Sequence, residues 1–349
     1  MISKTIDMKS LYQKLSDLGF SRNYVQQIAL PQWWDREFEQ TSGAAVEAAA
    51  YISRRLNLDL NSLLQPNRKP EFDASYQSKL KVQNGTNQQK LTVACSLAVR
   101  VAEMVAYACV RPYHTIHPLS AQDVRSQILQ NNEFIDLESL LQWCWHRGIP
   151  VFHFHQYPKN TPKFHGMVVC CHPRMSNEGC SRPVIAISHN HKSPSRLLFI
   201  LAHELGHLLQ GHVTSDRVLM DETVEFSNSD KEETEANKFA VELLSGRWDA
   251  NYKNPIVLTV KQLAKYAKAK SWEDRVDPGF VINNYGWHMQ EESNKKCWGA
   301  VEKALKIVEN NRNAPETINQ YLSQEIDWHC LSDDNQEYLE NILQVRAEI

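Results

Sequence analysis

The chain alternates between long stretches whose apolar residues recur at helical spacing and a few short apolar runs typical of strands. Near the N-terminus, residues 9–30 show the pattern of two short helices, with Gly19 ending the first and Ser21 capping the second. The alanine-rich segment 42–58 has an apolar repeat that predicts a third helix. Three small helices in this order predict a helix-turn-helix-like domain over residues 1–65.

A polar segment rich in Asn, Gln, Ser, Pro and Lys follows at residues 66–89 and is interpreted as a linker. The main domain is predicted over residues 90–250. It begins with helical patterns, continues with the short β-branched or aromatic runs "IPVFHFH", "HGMVVCC" and "RPVIAIS", and then returns to helices. Residues 251–349 are again helical in pattern and are acidic toward their end. The predicted fold class is therefore α+β, mostly helical, with a small β-sheet.

The most apolar run, residues 91–110, is long enough to cross a membrane. It carries Arg100 and Glu103 near its middle, and spanning a bilayer would bury both charges in lipid. The run is therefore predicted to be a core helix. The N-terminus lacks the basic, apolar and small-residue regions of a secretory signal, so the protein is expected in the cytoplasm.

The overall charge argues against wholesale electrostatic binding to nucleic acid or to a membrane surface, because 38 basic residues are balanced by 41 acidic ones. In the N-terminal domain, the segment where a DNA-reading helix would lie is "WWDREFEQ", with Asp35, Glu37 and Glu39. Those carboxylates would repel phosphate. Direct DNA binding is therefore not expected, and the domain is interpreted as a protein-docking or structural unit.

The eight cysteines show no paired CxxC spacing, which indicates reduced thiols rather than a disulfide framework. One cluster, "CCHPRMSNEGC", contains Cys170, Cys171, His172 and Cys180 and could in principle hold a structural zinc ion. Adjacent cysteines on a strand point to opposite faces of the sheet. The favoured interpretation is therefore that this cluster binds no metal.

The segment "HKSPSRLLFILAHELGHLLQGH" predicts a buried helix. Ser193 is suited to the N-cap, and Pro194 takes the first helical position, where its missing N–H costs nothing. Apolar residues wrap most of the circumference, which predicts burial on all sides. They are Leu197, Leu198, Ile200, Leu201, Leu205, Leu208 and Leu209. Polar side chains on such a helix require partners.

Two histidines and a glutamate interrupt this apolar helix. His203 and His207 are four residues apart and share one face, so both imidazoles can bind one metal ion. Glu204 completes an HExxH motif, in which the glutamate lies off the ligand face and acts as general base toward a zinc-bound water of pKa ~7. Gly206 predicts a close packing contact, because a glycine inside a helix costs roughly 1 kcal/mol relative to alanine.

Two histidines leave a zinc site one ligand short. His212 does not complete it through the extended HExxHxxGxxH pattern, because Gln210 and Val213 stand where that pattern has glycine and histidine. The downstream segment "DKEETEANKFAVELLSG" predicts a second helix with Asp230 as its N-cap and an apolar packing face. This helix supplies carboxylates.

Glu233 and Asn237 share a face of the second helix, so Glu233 is favoured as the third ligand and Asn237 as the hydrogen-bond partner of a ligand histidine. Glu235 is the alternative ligand. It points about 200° away from Glu233 on a regular helix, so only one of the two can face the ion. Spacing alone leaves the choice open, since these carboxylates could also be a solvated acidic first turn.

The sequence resembles the ImmA/IrrE-type zinc metallopeptidases, in which HExxH is followed by an E-x-E-A-N-x-F-A-x-x-L-L motif. Here the second motif reads "ETEANKFAVELL", and "WCWHRGIPVFHF", "GMVVCC", "RPVIAIS" and "LAHELGH" occur in the family's usual order. The resemblance covers roughly residues 1–300 and includes "LPQWWDREFEQ", found in longer members with a degenerate helix-turn-helix front end. One departure is Ser245 and Gly246, where the family usually has Met-Pro.

The resemblance implies a gluzincin-like core, with a small sheet packed on two metal-bearing helices, and a zinc-dependent endopeptidase activity. It also implies a protein substrate, because family members typically cleave a DNA-binding repressor or an antitoxin-like partner in response to stress or foreign DNA. In such a fold the strand before the active-site helix, here "RPVIAIS", commonly lies at the sheet edge. An extended substrate could pair with that edge, or a loop could cover it.

The alternative is a non-enzymatic regulator that binds a protein or DNA and keeps the metal only to hold its core together. Structural zinc sites are closed by four protein ligands, whereas three are evident in the sequence. Glu204 would also be superfluous in such a site. The sequence does not single out an oxyanion-stabilising residue among His189, His191, Tyr285 and His288.

Overall fold

The computed structural model describes residues 6–73, 80–82, 88–113, 119–171, 181–213, 218–221, 230–291 and 296–347. His172 and Cys180 of the cysteine cluster lie outside the described residues. The α-helices, in chain order, are α1 (Met8–Asp17), α2 (Arg22–Tyr24), α3 (Ala44–Leu56), α4 (Leu60–Leu64), α5 (Gln88–Ala108), α6 (Ala121–Leu129), α7 (Leu137–His146), α8 (Pro194–Leu209), α9 (Lys231–Ser245), α10 (Val260–Asp274), α11 (Pro278–Glu291), α12 (Trp298–Glu309), α13 (Ala314–Glu325) and α14 (Asp333–Leu343). A π-helical turn, Val25–Ala29, continues α2, and 3₁₀ turns lie at Phe38–Gln40 and Trp328–Cys330.

The strands form one mixed sheet in the order β1-β5-β3-β4-β2. They are β1 (Leu80–Val82), β2 (Val151–His153), β3 (Gly166–Cys171), β4 (Arg182–Ile187) and β5 (Val218–Asp221). Strand β3 is antiparallel to both of its neighbours, whereas β1 pairs with β5, and β2 with β4, in parallel. The predicted α+β, mostly helical fold is confirmed, and the three predicted runs form β2, β3 and β4.

Helices cover both faces of the sheet. On β3, Met167 and Val169 pack into one hydrophobic cluster with α5 and the N-terminal helices, while Val168 packs into a second cluster with α8. This alternation follows from the two-residue period of a strand. The sheet therefore separates α5 from α8, the helix that carries HExxH.

The expectation that the strand before α8 lies at the sheet edge is wrong. Strand β4 is paired on both sides, with Ile185 opposite Val151 of β2 and Val168 of β3. The short strand β2 pairs in parallel with the side of β4 that does not face β3, so β2 is the outer strand at this edge of the sheet. A substrate therefore cannot extend the sheet at β4.

The outer side of β2 is itself covered by helix α13. The Oδ1 atom of Asn319 accepts a hydrogen bond from the His153 amide at 2.7 Å, and its Nδ2 donates to the His153 carbonyl at 2.9 Å. The side-chain amide of Asn319 thus bonds the backbone N–H and C=O of His153, which a further strand would otherwise pair with. Such coverage is a common protection of exposed sheet edges.

Strand β1 lies inside the segment 66–89 that the sequence analysis interprets as a linker. Residues 80–82 instead belong to the sheet, parallel to β5. A three-residue strand in a polar context has too short an apolar pattern to be recognised from sequence. The predicted division of the chain at residues 65, 89 and 250 otherwise stays a prediction.

The short helices predicted at the N-terminus are confirmed. Gly19 follows α1 with a φ of 97°, the Ser21 side chain accepts from the Tyr24 amide, and α3 matches the alanine-rich segment. The acidic segment between them is partly engaged inside the protein. The carboxylate of Glu39 accepts from the Tyr12 hydroxyl at 2.5 Å and pairs with Arg22 at 2.7 Å.

A buried arginine joins the N-terminal helices to the last helix. Arg55 of α3 is 2% exposed, and its Nη2 lies 2.5 Å from Asp334 Oδ1 and 2.9 Å from Glu337 Oε1. The Tyr338 hydroxyl donates to the Arg55 carbonyl at 2.5 Å. Residues from α3, α5 and α14 accordingly share one hydrophobic cluster.

Among the described residues, one helix is long and apolar enough to cross a membrane, at Leu91–Ala108 in α5. Within the fold, 78% of this window is buried. Arg100 and Glu103 form an ion pair of 3.4 Å on this helix. The burial agrees with the prediction of a core helix.

The start of α8 is held by a carboxylate from α12. Ser193 is the N-cap residue and Pro194 follows it, as predicted. Oε1 of the buried Glu309 accepts hydrogen bonds from the Ser195 amide at 3.1 Å and from the Ser193 and Ser195 hydroxyls, each at 2.6 Å. A negative charge at a helix N-terminus is favourable because it pairs with the unbonded amides there. The C-terminal helices therefore help to fix the helix that carries HExxH.

Candidate metal centre

Helix α8 is buried along nearly its whole length, so its polar residues face other protein groups rather than water. His203, Glu204 and His207 are each 0% exposed. The helix packs on β3 and β4 on one side and on α9 on the other. The burial predicted from the wrapped apolar pattern is confirmed.

Helix α9 brings the second motif to α8. Asp230 caps it by accepting from the Glu232 amide at 2.9 Å, as predicted, and the helix ends at Ser245 with Gly246 in the left-handed region at φ 84°. That ending needs no Met-Pro sequence, because glycine adopts this conformation without strain. The departure from the family pattern therefore leaves the helix intact.

The two helices are in tight contact at Gly206. A Cβ added there would lie 3.1 Å from the Ala236 carbonyl oxygen and 3.2 Å from the Phe239 Cβ. Such distances are tighter than ordinary van der Waals contact, so any side chain would push α9 away. The packing contact predicted at this glycine is confirmed.

The close approach brings His203, His207 and Glu233 into one buried group whose ligand atoms lie within 4.8 Å of one another. The two Nε2 atoms are 3.0 Å apart. Each lies 3.4 Å from an oxygen of Glu233, Oε2 for His203 and Oε1 for His207. Tetrahedral zinc with bonds of about 2.0–2.1 Å places its ligand atoms about 3.3–3.4 Å apart. The donor set and its spacing therefore fit a zinc-sized ion.

The charge balance of the group also suits a cation. Burial alone would raise the pKa of Glu233, but the hydrogen bonds and charges of His203 and His207 outweigh burial and lower the pKa far below its ordinary value. The carboxylate is thus ionised in the fold, as a metal ligand must be. These residues could hold a metal ion.

Asn237 lies where its spacing from Glu233 predicts, beside His203 of the metal group. Its Oδ1 is 2.9 Å from Nδ1 of His203. Because Nε2 of His203 faces the metal group, Nδ1 carries the proton and donates to the amide oxygen. The bond fixes the ring and its tautomer, as partners of metal-bound histidines commonly do.

Glu235, the alternative ligand, lies outside the metal group. Its side chain is 42% exposed, and its Oε2 is 3.2 Å from Nε2 of His212. Its Oε1 is 3.6 Å from the Lys231 ammonium. The geometry therefore favours Glu233 as the ligand, because the helix turns Glu235 toward a different histidine.

Gly166, which the sequence analysis does not single out, lies against Glu204. A Cβ added at this first residue of β3 would be 1.9 Å from Oε1 and 2.4 Å from Cδ of Glu204. The glycine leaves room for the carboxylate of HExxH between the helix and the sheet. In the sequence, the only signal is a glycine at the start of a strand, which often marks a close approach by another group.

The residues left open as oxyanion stabilisers differ in their surroundings. Tyr285 is 0% exposed, and its hydroxyl accepts from the Leu258 amide at 2.9 Å. His189 packs edge-on against His165, the residue before Gly166, with ring centroids 4.5 Å apart. Burial, together with the smaller effect of neighbouring positive groups, lowers the pKa of His189 to about 4, which favours a neutral ring. The role itself stays unassigned.

A comparison with known protein families matches the part of the chain that contains the metal group. Residues 145–245 match the model of the IrrE N-terminal-like domain, Peptidase_M78. No curated protein and no solved structure matches the chain. The matched segment contains HExxH, Gly166 and Glu233, whereas the helix-turn-helix-like front end lies outside it and stays a prediction. Residues 145–245 are therefore similar to the IrrE N-terminal-like domain, and this match supports the resemblance to the ImmA/IrrE family.

Proposed function

We propose that this protein is a zinc-dependent endopeptidase that cleaves a specific regulatory protein in the cytoplasm. The observation that carries the proposal is a buried His-His-Glu group beside Glu204 within a segment of a peptidase family. The substrate class, a DNA-binding repressor or an antitoxin-like partner, rests on the family resemblance. The same holds for a role in a response to stress or foreign DNA.

His203, His207 and Glu233 would hold the ion. Two neutral imidazoles and one carboxylate are a common set of protein ligands in catalytic zinc sites. Bound zinc supplies Lewis acidity, which polarises a substrate carbonyl and acidifies a water molecule. Within the described residues the group contains three ligands, and catalytic sites of this type leave a fourth position for water or substrate.

Glu204 is the general base of the proposed reaction. It accepts a proton from the attacking water and returns it to the leaving amine, a role typical of a carboxylate next to the scissile bond. The space left by Gly166 sets where its carboxylate lies. Burial of the side chain keeps bulk water from competing for this proton transfer.

The direct test compares cells that produce the wild-type protein with cells that produce Glu204→Gln, and sequences new protein N-termini in both. We expect at least one new N-terminus in the cells with the wild-type protein that is absent from the cells with Glu204→Gln. The purified zinc-loaded protein should generate the same fragments. Zinc binding with no Glu204-dependent cleavage would overturn the proposal. It would instead favour the alternative, a non-enzymatic regulator with a structural metal site.

A further inference from the structure

The turn after α8 places a third histidine next to the metal group. Gly211 has a φ of 76°, which a glycine adopts easily, and the chain reverses there. The His212 amide donates to the His207 carbonyl at 3.0 Å, and the Gly211 amide donates to that of Leu208 at 3.3 Å. These are the two bonds of a Schellman motif, which brings the residue after the glycine back over the last turn of the helix.

This reversal places the His212 ring edge-on against the His207 ring. The ring centroids are 5.1 Å apart, and the Nδ1 atoms of the two rings are 3.0 Å apart. On its other side, Nε2 of His212 lies 3.2 Å from Oε2 of Glu235. His212 is 8% exposed and His207 is 0% exposed, so their contact is shielded from water, whereas Glu235 lies partly at the surface.

The protons in this chain can be assigned from one condition, that Nε2 of His207 faces the metal group with a lone pair. The proton of His207 is then on Nδ1 and is donated to Nδ1 of His212. His212 must accept at Nδ1, so its own proton is on Nε2 and is donated to the carboxylate of Glu235. Every ring nitrogen then has a defined role.

We propose that His212 and Glu235 are positioning residues of the metal centre, which fix the tautomer and ring orientation of His207. The inference deepens the proposed function, since it needs the metal group, but it does not depend on peptide cleavage. It gives each ligand histidine a partner on α9: Asn237 contacts His203 directly, and Glu235 reaches His207 through His212.

The partnership explains the spacing of the second motif. Glu233 and Asn237 lie on one face of α9 and both contact His203, whereas Glu235 points away from that face toward His212. A hydrogen bond from a ligand imidazole to an acceptor makes its other nitrogen a better metal donor. A negative charge at the outer end of the chain of bonds strengthens that effect.

The competing explanation is that His212 and Glu235 only tie the turn after α8 to α9. Suitable variants separate the two explanations. In His212→Asn, the amide oxygen takes the place of Nδ1 and still accepts from His207, although the link to Glu235 is lost. In His212→Phe, the ring shape remains but the acceptor is removed. If His212 and Glu235 only hold the turn against α9, both variants lose that contact and should weaken zinc binding equally.

The experiment measures the zinc affinity of the full-length protein at one pH by competition with a chelating dye, together with thermal unfolding of the zinc-free protein. We expect His212→Phe to bind zinc about 10 to 100-fold more weakly, the usual effect of removing a partner of a ligand histidine. His212→Asn should recover most of the loss. Glu235→Ala should lose affinity to a smaller extent and still bind one equivalent in excess zinc.

The matched control is Glu242→Ala, which removes the same charge two turns further along α9, where Glu242 contacts Gln122 at 3.2 Å. It should bind zinc like the wild type. The inference is overturned if His212→Phe retains the wild-type affinity, if His212→Asn is as weak as His212→Phe, or if Glu242→Ala matches Glu235→Ala. If the wild-type protein itself binds no zinc, the proposed function fails, which is a distinct result.

A spectroscopic measurement provides an independent check. In the zinc-loaded protein labelled with ¹⁵N-histidine, His207 should carry its proton on Nδ1 and His212 on Nε2. The His207 signal is identified by its change in His212→Phe. A His207 proton on Nε2 in the loaded protein would overturn the assignment.

Discussion

Gly166 and Glu204 are in such close contact that a single methyl group at position 166 would overlap the glutamate's carboxylate, 1.9 Å from Oε1. The contact joins the start of β3 to the HExxH motif across the interface between sheet and helix. It concerns Glu204, the proposed general base, and not the proposed metal ligands, so the two proposed functions of the site can be tested separately.

We expect Gly166→Ala to retain zinc but to lose cleavage, because the added methyl displaces the Glu204 carboxylate. A displacement of about 1 Å can lower a rate by about 100-fold. The measurement is cleavage rate and zinc content of the same sample. Gly299→Ala is the control, since a Cβ there meets nothing within 4 Å. Full activity in Gly166→Ala would show that the position of the carboxylate is not limiting.

Glu204→Gln should bind about one equivalent of zinc and yet have no proteolytic activity. The amide keeps the shape of the side chain but cannot take a proton from water, and general-base catalysis typically contributes about 10²–10⁴-fold. Metal analysis and a cleavage assay on one preparation are sufficient. An active variant would remove Glu204 from the mechanism.

Glu233→Ala should lose most of the bound zinc, because two imidazoles and water remain as ligands. Asn237→Ala should weaken zinc binding more mildly, by about 10 to 100-fold, since it removes only the partner of His203. Glu235→Ala should still fill with zinc when the ion is in excess. Titration with zinc would contradict the assignment of the third ligand if Glu235→Ala emptied the site and Glu233→Ala did not.

The full-length protein should show little affinity for duplex DNA at physiological salt. Its most suitable reading segment is acidic, and Glu39 within it is already engaged by Tyr12 and Arg22. Fluorescence anisotropy with labelled duplexes at several salt concentrations measures this. Tight binding with a steep salt dependence would indicate phosphate contacts that the segment does not provide.

The stability of the zinc-free protein should depend on pH through Asp277, which lies next to α11. The pKa of Asp277 is raised from 3.8 to about 7, mainly by burial and also by the nearby Glu309, and these effects outweigh the bonds from the Phe280 and Gly279 amides, which lower it. A raised carboxyl pKa means that the folded state holds the proton more tightly. The contribution of this group to the free energy of unfolding is therefore complete below about pH 4 and is lost as pH rises through 7.

Asp277→Asn mimics the protonated form and can still accept from the Phe280 amide. The difference in the free energy of unfolding between the variant and the wild type should shift in favour of the variant from pH 5 to pH 8, by an amount on the order of a few kcal/mol. Urea unfolding in the presence of a chelator measures the difference at both pH values. An equal difference at pH 5 and pH 8 would show that Asp277 does not titrate in this range.

The sequence predicts the parts of the site that depend on local spacing. A helix with 3.6 residues per turn places residues four apart on one face. This predicts that His203 and His207 share a face of α8, and that Glu233 and Asn237 share a face of α9. The same is true of the caps Ser193 and Asp230. Their geometry is fixed within one element, so it needs no knowledge of how elements pack.

The parts that the sequence does not predict depend on residues far apart in the chain. Gly166 meets Glu204 only because β3 lies under α8, and Glu309 caps α8 from a helix more than a hundred residues away. The place of β4 inside the sheet follows from the pairing of β2. Such contacts leave no periodic pattern in the sequence, because each depends on how whole helices and strands pack against one another.

The pairing of Arg55 with Asp334 and Glu337 has a consequence for the order in which the protein can be completed during synthesis. Arg55 is synthesised 279 residues before Asp334 and 282 residues before Glu337. Burying the guanidinium before they arrive would leave a charge without its counterions, which is strongly unfavourable. The N-terminal helices therefore cannot reach their final packing until α14 has been synthesised and can supply these carboxylates.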